Sequence, residues 1–415
     1  MVFAAAGDRG TQPGQLGDAL TASGLLILTT PEGQTLLESL PPYDPGTVDR
    51  VSRRLRAEGV DPGLIAAALT QQRLRLQGET KFGERAADML FTRDGLQQAT
   101  RPSVAALHAQ RYVDAGCSRV ADITCGIGAE SLALARAGLE VTAVDLDPET
   151  AACAAHNLRD FPGATVLVED GLTLNWEDFD GIFADPARRS ARGRTFNPAD
   201  YSPPLNRVLA LRSQVPALGV KIAPGIGYEH LPQEAQAQWV SVDGQVVEAG
   251  LWFGPLAASP GRSALVIKDG EIVEITASDN PRAPVVAMEA APLGEFLYEP
   301  DGAVIRSGGL EVAAQLLGAA PVSADIAYLS GPGLVLTPLA QAFEVVEAMP
   351  LKQLRGYVRD RRIGSLEILK RGVDVVPDQL RKSLKLRGTE SATVILTRLL
   401  GRHSAIVVRR VSAVT

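Results

Sequence analysis

Residues 119–148 read RVADITCGIGAESLALARAGLEVTAVDLDP. Arg119–Ile123 is a short apolar strand. The turn Thr124-Cys125-Gly126-Ile127-Gly128 follows it. Glu130–Ala137 has helical spacing and meets Gly138, a residue suited to a helix C-cap. Val141–Val144 is the next buried strand, with Asp145 at its tip. A strand, a glycine turn, a helix and a strand ending in an acid suit a nucleotide-like ligand. Glycines let the backbone approach the ligand, and the acid accepts hydrogen bonds from ribose hydroxyls.

The glycine spacing narrows the ligand. A dinucleotide site needs G-x-G-x-x-G. Here the third glycine is missing, and no basic side chain in the turn could hold a pyrophosphate. The pattern D-x-x-C-G-x-G resembles motif I of the class I S-adenosylmethionine-dependent methyltransferases. That resemblance implies adenosylmethionine as cofactor, which carries no phosphate. It implies that Asp122, Thr124, Gly126 and Gly128 line the methionine end. Asp145 and Leu146 would meet the ribose, and Asp170 with Gly171, after the strand Ala164–Val168, the adenine amino group.

The bulk numbers fit a globular chain. At 415 residues, two or three domains are expected. Hydrophobic residues make up 46% and charged residues 21%, and no apolar run approaches a membrane span. Residues 1–18 lack the basic and apolar regions of a signal peptide and read as a flexible leader. Cys117, Cys125 and Cys153 show no C-x-x-C pairing, which fits a reduced cytoplasm and argues against a zinc site. The net charge of −7 is unevenly spread. Residues 351–415 carry 15 Lys and Arg against five Asp and Glu, or +10, leaving −17 on the rest. A basic end on an acidic body points to a polyanionic partner or to a solvated basic face.

The expected order is a leader (1–18), a helical region (19–115), an alternating strand–helix domain (116–279), a Pro- and Ala-rich linker (280–292) and a last domain (293–415). In the helical region, Asp61-Pro62 starts a helix. A loop with Phe91, Gln98, Ala99 and Thr100 precedes another helix at Pro102 and is placed to close over the cofactor. Val246–Phe253 and Ser263–Ile267 are expected to pair antiparallel, and Lys268–Ser278 to form a hairpin through Asp269-Gly270. Near the end, Pro377–Leu386 reads as an amphipathic helix stopped by Gly388. Ala392–Leu399 and Ser404–Val411 read as strands joined through Gly401.

The acceptor side begins at GIFADPARR, residues 181–189. Its Asp-Pro resembles the Asp/Asn-Pro-Pro-aromatic motif of methyltransferases acting on amino groups, where the acid or amide and a backbone carbonyl bind the amine. Asp185 and Pro186 match. Ala187 stands for the second proline and Arg188 for the aromatic. No cysteine lies beyond Cys153, so transfer through a cysteine adduct is not expected. Arg188, Arg189, Arg192 and Arg194 suit phosphate contacts, and Phe196 and Tyr201 could stack on a base. A solvated arginine loop is the alternative.

With the loop LFTRDG (residues 90–95), these motifs resemble the trimethylguanosine-synthase-like branch of class I methyltransferases. RRIGSLEILKRGVDVVPDQLRKSLKLRG and SATVILTRLLGRHSAIVVRRV look like the THUMP-like domain of bacterial members. The implied fold class is α/β. A Rossmann-like doubly wound mixed sheet would carry a helical N-terminal region and a small α/β C-terminal domain. The implied activity is methylation of a nitrogen on an RNA base, in transfer or ribosomal RNA, with no metal and no membrane. Two other readings stay open: a methyltransferase for a small anionic metabolite, and a non-catalytic RNA-binding protein with this fold.

Overall fold

The computed structural model describes residues 24–187 and 200–411, with backbone alone at 189–190 and 193–194. The expected leader, 1–18, lies outside the described residues. The chain forms two compact units. One is Met1–Val220 with Phe253–Leu256, the other Lys221–Trp252 with Ala257–Thr415.

The first unit opens with helices α1 (Gly24–Leu28), α2 (Pro31–Ser39), α3 (Val48–Ala57), α4 (Pro62–Phe82), α5 (Arg93–Gln98) and α6 (Pro102–Asp114). Their starts are written in the sequence. Asp61 accepts from Leu64 N–H at 2.9 Å ahead of Pro62, and Thr92 from Gly95 N–H at 3.0 Å. Strands and helices then alternate: β1 (Arg119–Asp122), α7 (Ala129–Arg136), β2 (Glu140–Asp145), α8 (Pro148–Asn157), β3 (Ala164–Val168) and β4 (Gly181–Ala184). The hairpin strands β5 (Arg189–Ser190) and β6 (Gly193–Arg194), then α9 (Leu205–Ala210) and β7 (Leu218–Ile222), complete the run. The sheet order here is β3-β2-β1-β4-β7, and the four pairs are parallel.

Buried amides fasten the N-terminal helices to this sheet. Gln71 and the backbone of Phe91 exchange two hydrogen bonds, of 2.6 and 3.0 Å. Asn157 on α8 does the same with Leu90, at 2.8 and 3.0 Å, and also donates to Ile127 O in the glycine turn at 2.9 Å. One amide thus ties α8, the residues before α5 and the turn into a single buried piece. Ile127 and Cys153 accordingly pack in the same core as Leu55, Ile65 and Phe91.

In the second unit, β8 (Gln236–Val242), β9 (Gln245–Trp252), β10 (Gly261–Lys268) and β11 (Glu271–Ser278) lie in the order β9-β8-β10-β11. This corrects the expected pairing of Val246–Phe253 with Ser263–Ile267. β8 lies between β9 and β10, antiparallel to the first and parallel to the second. Its sequence, QAQWVSV, hides it: every residue is buried, yet Gln236, Gln238 and Ser241 are polar. Gln238 donates to Glu274 at 2.6 Å, so burial is compatible with its amide. The β10–β11 hairpin is as expected, with Asp269 and Gly270 both left-handed.

A second sheet follows, formed by β12 (Phe296–Pro300), β13 (Ala320–Ser323), β14 (Ile326–Gly331), β15 (Ala340–Pro350), β16 (Ile363–Lys370), β17 (Glu390–Leu399) and β18 (Arg402–Val411). Its order is β13-β14-β12-β15-β18-β17-β16. Helices α10 (Gly302–Ser307) and α11 (Leu310–Leu317) follow β12. α12 (Leu354–Asp360) and α13 (Pro377–Leu384) flank β16. α13 ends earlier than expected: Lys385, not Gly388, is its left-handed cap. The expected linker is anchored at its start. The buried Arg262 guanidinium donates to Ala283 O (2.6 Å), Pro281 O (3.2 Å) and Ser307 O (2.8 Å), and it lies 3.9 Å from the Tyr228 ring centre.

Candidate active site

A cavity of about 460 Å³ opens at the carboxyl ends of the parallel strands, where open α/β sheets take their ligands. Asp122, Thr124, Gly126, Asp145, Leu146, Asp170, Gly171 and Asp185 all line it. Gly128 and Pro186 are not among the lining residues. Gly128 has φ +81° and caps α7. A methyl group added to it would lie only 3.2 Å from Ala154 Cβ, so its work is packing α7 on α8. Gly126, at φ +56°, faces open space, which leaves its backbone accessible to a ligand. Tyr201 is buried. Arg188, Arg192 and Phe196 lie outside the described residues. Arg189 and Arg194 face each other across the β5–β6 pair, with side chains outside the description.

The carboxylates are held differently. Asp145 accepts from Gly126 N–H at 3.0 Å and from Asp147 N–H at 2.9 Å, which fixes it between the turn and the start of α8. Burial raises its pKa, opposed by those hydrogen bonds. Asp170 accepts from Leu172 N–H at 3.0 Å, capping a short turn while lining the cavity. Thr124 Oγ1 accepts from Asp185 N–H at 2.6 Å, so the glycine turn positions the backbone at the end of β4.

Two further acids form the floor. Asp122 is 1% exposed and accepts from Ser131 Oγ at 2.6 Å through one oxygen. Its other oxygen is buried without a hydrogen-bond partner among the described residues. Burial, with the nearby charge of Glu130 adding to it, pushes its carboxyl up to about 7. Glu130, 5% exposed, engages His108 Nδ1 at 2.7 Å, and its second oxygen is likewise unpartnered. Orphaned carboxylate oxygens at a cavity wall are costly unless a cation completes them. The ammonium of adenosylmethionine has the right charge and donors, so this donor set fits that cofactor.

The sequence left Glu130 and His108 unread. Glu130 follows the glycines at a buried position of α7, and His108 shares the buried face of α6 with Val104, Ala105 and Ala109. Polar residues at buried helix positions were the available signal. Arg207 on α9, with Ser202, Pro203 and Pro204, adds a rim that was also missed. Of the loop expected to close over the cofactor, Gln98, Ala99 and Thr100 line the cavity, joined by Thr92, Asp94 and Gly95. Phe91 instead fills the helical core, since Gln71 holds its backbone there. Lys81 Nζ donates to Leu96 O (2.7 Å) and Ala99 O (2.9 Å), fixing the end of α5.

Comparison with known proteins agrees with this geometry. The methyltransferase domain profile matches residues 120–190, the THUMP domain-like profile residues 340–410, and a domain of unknown function residues 23–77. An uncharacterized S-adenosylmethionine-dependent methyltransferase of Mycobacterium tuberculosis, found alike in strains CDC 1551 and H37Rv, is 35% identical over 349 residues. The match covers 81% of this chain and 93% of the relative. The crystal structure of a candidate methyltransferase from Porphyromonas gingivalis W83 shares the fold. Its TM-score is 0.69 at 20% identity, over 90% of this chain and 100% of that one. The chain therefore belongs to the S-adenosylmethionine-dependent methyltransferases, as a class I member that uses S-adenosylmethionine and carries a THUMP-like domain.

Proposed function

We propose that this methyltransferase acts on a nitrogen of an RNA base, in transfer or ribosomal RNA. The observation that carries the reading is Asp185. It stands in the cofactor cavity at the end of β4, its backbone locked to Thr124, directly before the arginine-rich segment. The Asp185 carboxylate would accept from the acceptor N–H and aim the nitrogen lone pair at the cofactor, while Pro186, which is buried and does not line the cavity, would only fix the turn after β4. S-adenosylmethionine supplies an electrophilic methyl group. Asp122 and Glu130 would hold its ammonium, Asp145 with Leu146 its ribose, and Asp170 with Gly171 its adenine. The α5 segment, held by Lys81, would exclude water from the reacting atoms.

Arg188, Arg189, Arg192 and Arg194 would contact phosphates, with Phe196 as an aromatic partner; Tyr201, at 3% exposure and away from the cavity lining, is a core residue and not a stacking surface. The +10 charge of residues 351–415 adds sequence-independent affinity. Three free thiols are in keeping with a reducing compartment, and we place the enzyme in the cytoplasm. No helix of the described residues is long and apolar enough to cross a membrane.

Arg207 at the cavity rim favours a second reading, in which a small anionic metabolite is the acceptor. Transfer of labelled methyl into RNA from a strain lacking the gene separates the two. Ribonuclease-sensitive label is expected. Label that enters only small molecules would replace RNA with the metabolite.

A further inference from the structure

We infer that His108 is a positioning residue for the cofactor: it locks Glu130 so that the second carboxylate oxygen meets the cofactor's ammonium, and so makes the site select an adenosine bearing an amino acid over the bare nucleoside. The inference rests on the reading above in which Glu130 holds that ammonium, and it assigns the residue behind it.

Glu130 needs such a partner. It is the second residue of α7, on a long side chain that gives up considerable rotamer freedom when fixed. The helix start favours a negative charge there but does not aim it. His108 supplies the aim. Its Nδ1 stands 2.7 Å from Glu130 Oε1, and the two side chains are 2% and 6% exposed. A carboxylate only accepts, so Nδ1 donates. Glu130 Oε2 remains, buried and without a hydrogen-bond partner among the described residues, on a side chain that lines the cofactor cavity.

His108 is itself fixed from the sheet. Its ring stacks on Phe183 of β4, with 5.9 Å between centres and 29° between planes. Phe183 lines the cavity two residues before Asp185. One turn along α6, the Tyr112 hydroxyl donates to Ile182 O at 2.6 Å and pins the helix to the same strand. The imidazole therefore sits between the strand that ends in Asp185 and the helix that carries Glu130. His108 is not among the cavity-lining residues, so it acts through Glu130 and touches no reacting atom.

Charge gives the arrangement its selectivity. His108 engages one oxygen of Glu130, and Ser131 one of Asp122. The charge of Glu130 adds to the burial that raises the Asp122 carboxyl, which places the two acids within reach of each other's field. A cation relieves both. An ammonium has donors enough for the two oxygens that remain, and a bare nucleoside has nothing for them.

The test measures binding to the full chain by isothermal calorimetry with two ligands. S-adenosylhomocysteine carries the ammonium. 5′-Deoxy-5′-methylthioadenosine keeps the nucleoside and the thioether but lacks the amino-acid end. His108→Leu should weaken S-adenosylhomocysteine by about 10–30-fold and methylthioadenosine by less than about twofold. His108→Ala gives the same comparison if the leucine variant does not fold. His108→Asn keeps an N–H donor close to the place of Nδ1 and should recover affinity to within about threefold of wild type. Equal weakening of both ligands by His108→Leu, no weakening of either, or no recovery with asparagine would overturn the positioning role. Glu130→Gln reads the underlying assignment, and it too should weaken S-adenosylhomocysteine alone. If Glu130→Gln leaves that affinity unchanged, the ammonium assignment falls together with the inference. If only the His108 variants are without effect, the inference falls and the assignment stands.

Discussion

The cofactor cavity and the C-terminal sheet both carry excess charge, and they manage it in opposite ways. In the cavity two of the acids are buried. Asp122 and Glu130 each have one oxygen satisfied by the protein and one buried without a partner among the described residues. In the C-terminal sheet the cations are exposed. Six arginines meet a neighbouring carboxylate, and the other nine Lys and Arg of residues 351–415 have no ion pair among the described residues. A buried orphan specifies a ligand atom, because desolvation makes the mismatch expensive. An exposed cluster specifies only a charge, because water screens it. The first region therefore suits one small molecule, while the second specifies only a sign of charge.

Substitutions can break this contrast. The largest effect is expected from Asp185→Ala. It should cut methyl transfer by roughly 10²–10³ while cofactor affinity stays nearly constant, as isothermal calorimetry would show. Loss of both would remove Asp185 from the acceptor site. Next comes Asp145→Ala, which removes a carboxylate fixed by two backbone N–H groups. Cofactor affinity should fall by about 10–100-fold. Unchanged affinity would refute the ribose assignment.

Asp122 tests the orphan argument through pH. Its folded pKa is raised to about 7, above an unfolded value near 3.9. A raised carboxyl favours the folded state below the unfolded value, and that advantage is lost as pH rises through about 7. Asp122→Asn should therefore raise the melting temperature of the cofactor-free protein by a few degrees above neutrality, and change it little below pH ~4. It should also weaken the cofactor. Equal gains at both pH values would contradict the titration. The smallest effect belongs to the β17–β18 turn, where Leu400 (φ +46°) precedes Gly401 (φ +80°). Leu400→Asn should stabilise the protein by about 0.5–1 kcal/mol in denaturant unfolding, since asparagine tolerates that backbone. A loss of stability would show that the exposed leucine is held by packing.

The two regions also differed in how far the sequence could be read. The turn at Thr124–Gly128, the acid tips Asp145 and Asp170, and Asp185 follow from local pattern, because one chain segment forms each feature. Caps such as Asp61-Pro62 are equally local. The pair of Glu130 with His108 is not, since the two residues come from different helices and meet only after α6 packs on α7. β8 escaped because its buried face carries glutamines and a serine, which a hydrophobic pattern discards. The close approach of Gly364 to Gly388 depends on a bulge between Ile363 and Ser365, which has no signature in one strand. Local chemistry marks itself in sequence. Chemistry assembled by tertiary packing does so only through residues that look misplaced, such as a histidine on the buried face of an amphipathic helix.

The most direct test of the account is nucleoside mass spectrometry. Unmodified RNA from a strain lacking the gene would be treated with cofactor and either wild-type enzyme or Asp185→Ala. The account predicts one N-methylated nucleoside with the wild type and none with the variant. A methylated nucleoside made equally well by both, or methyl groups recovered only outside RNA, would contradict it.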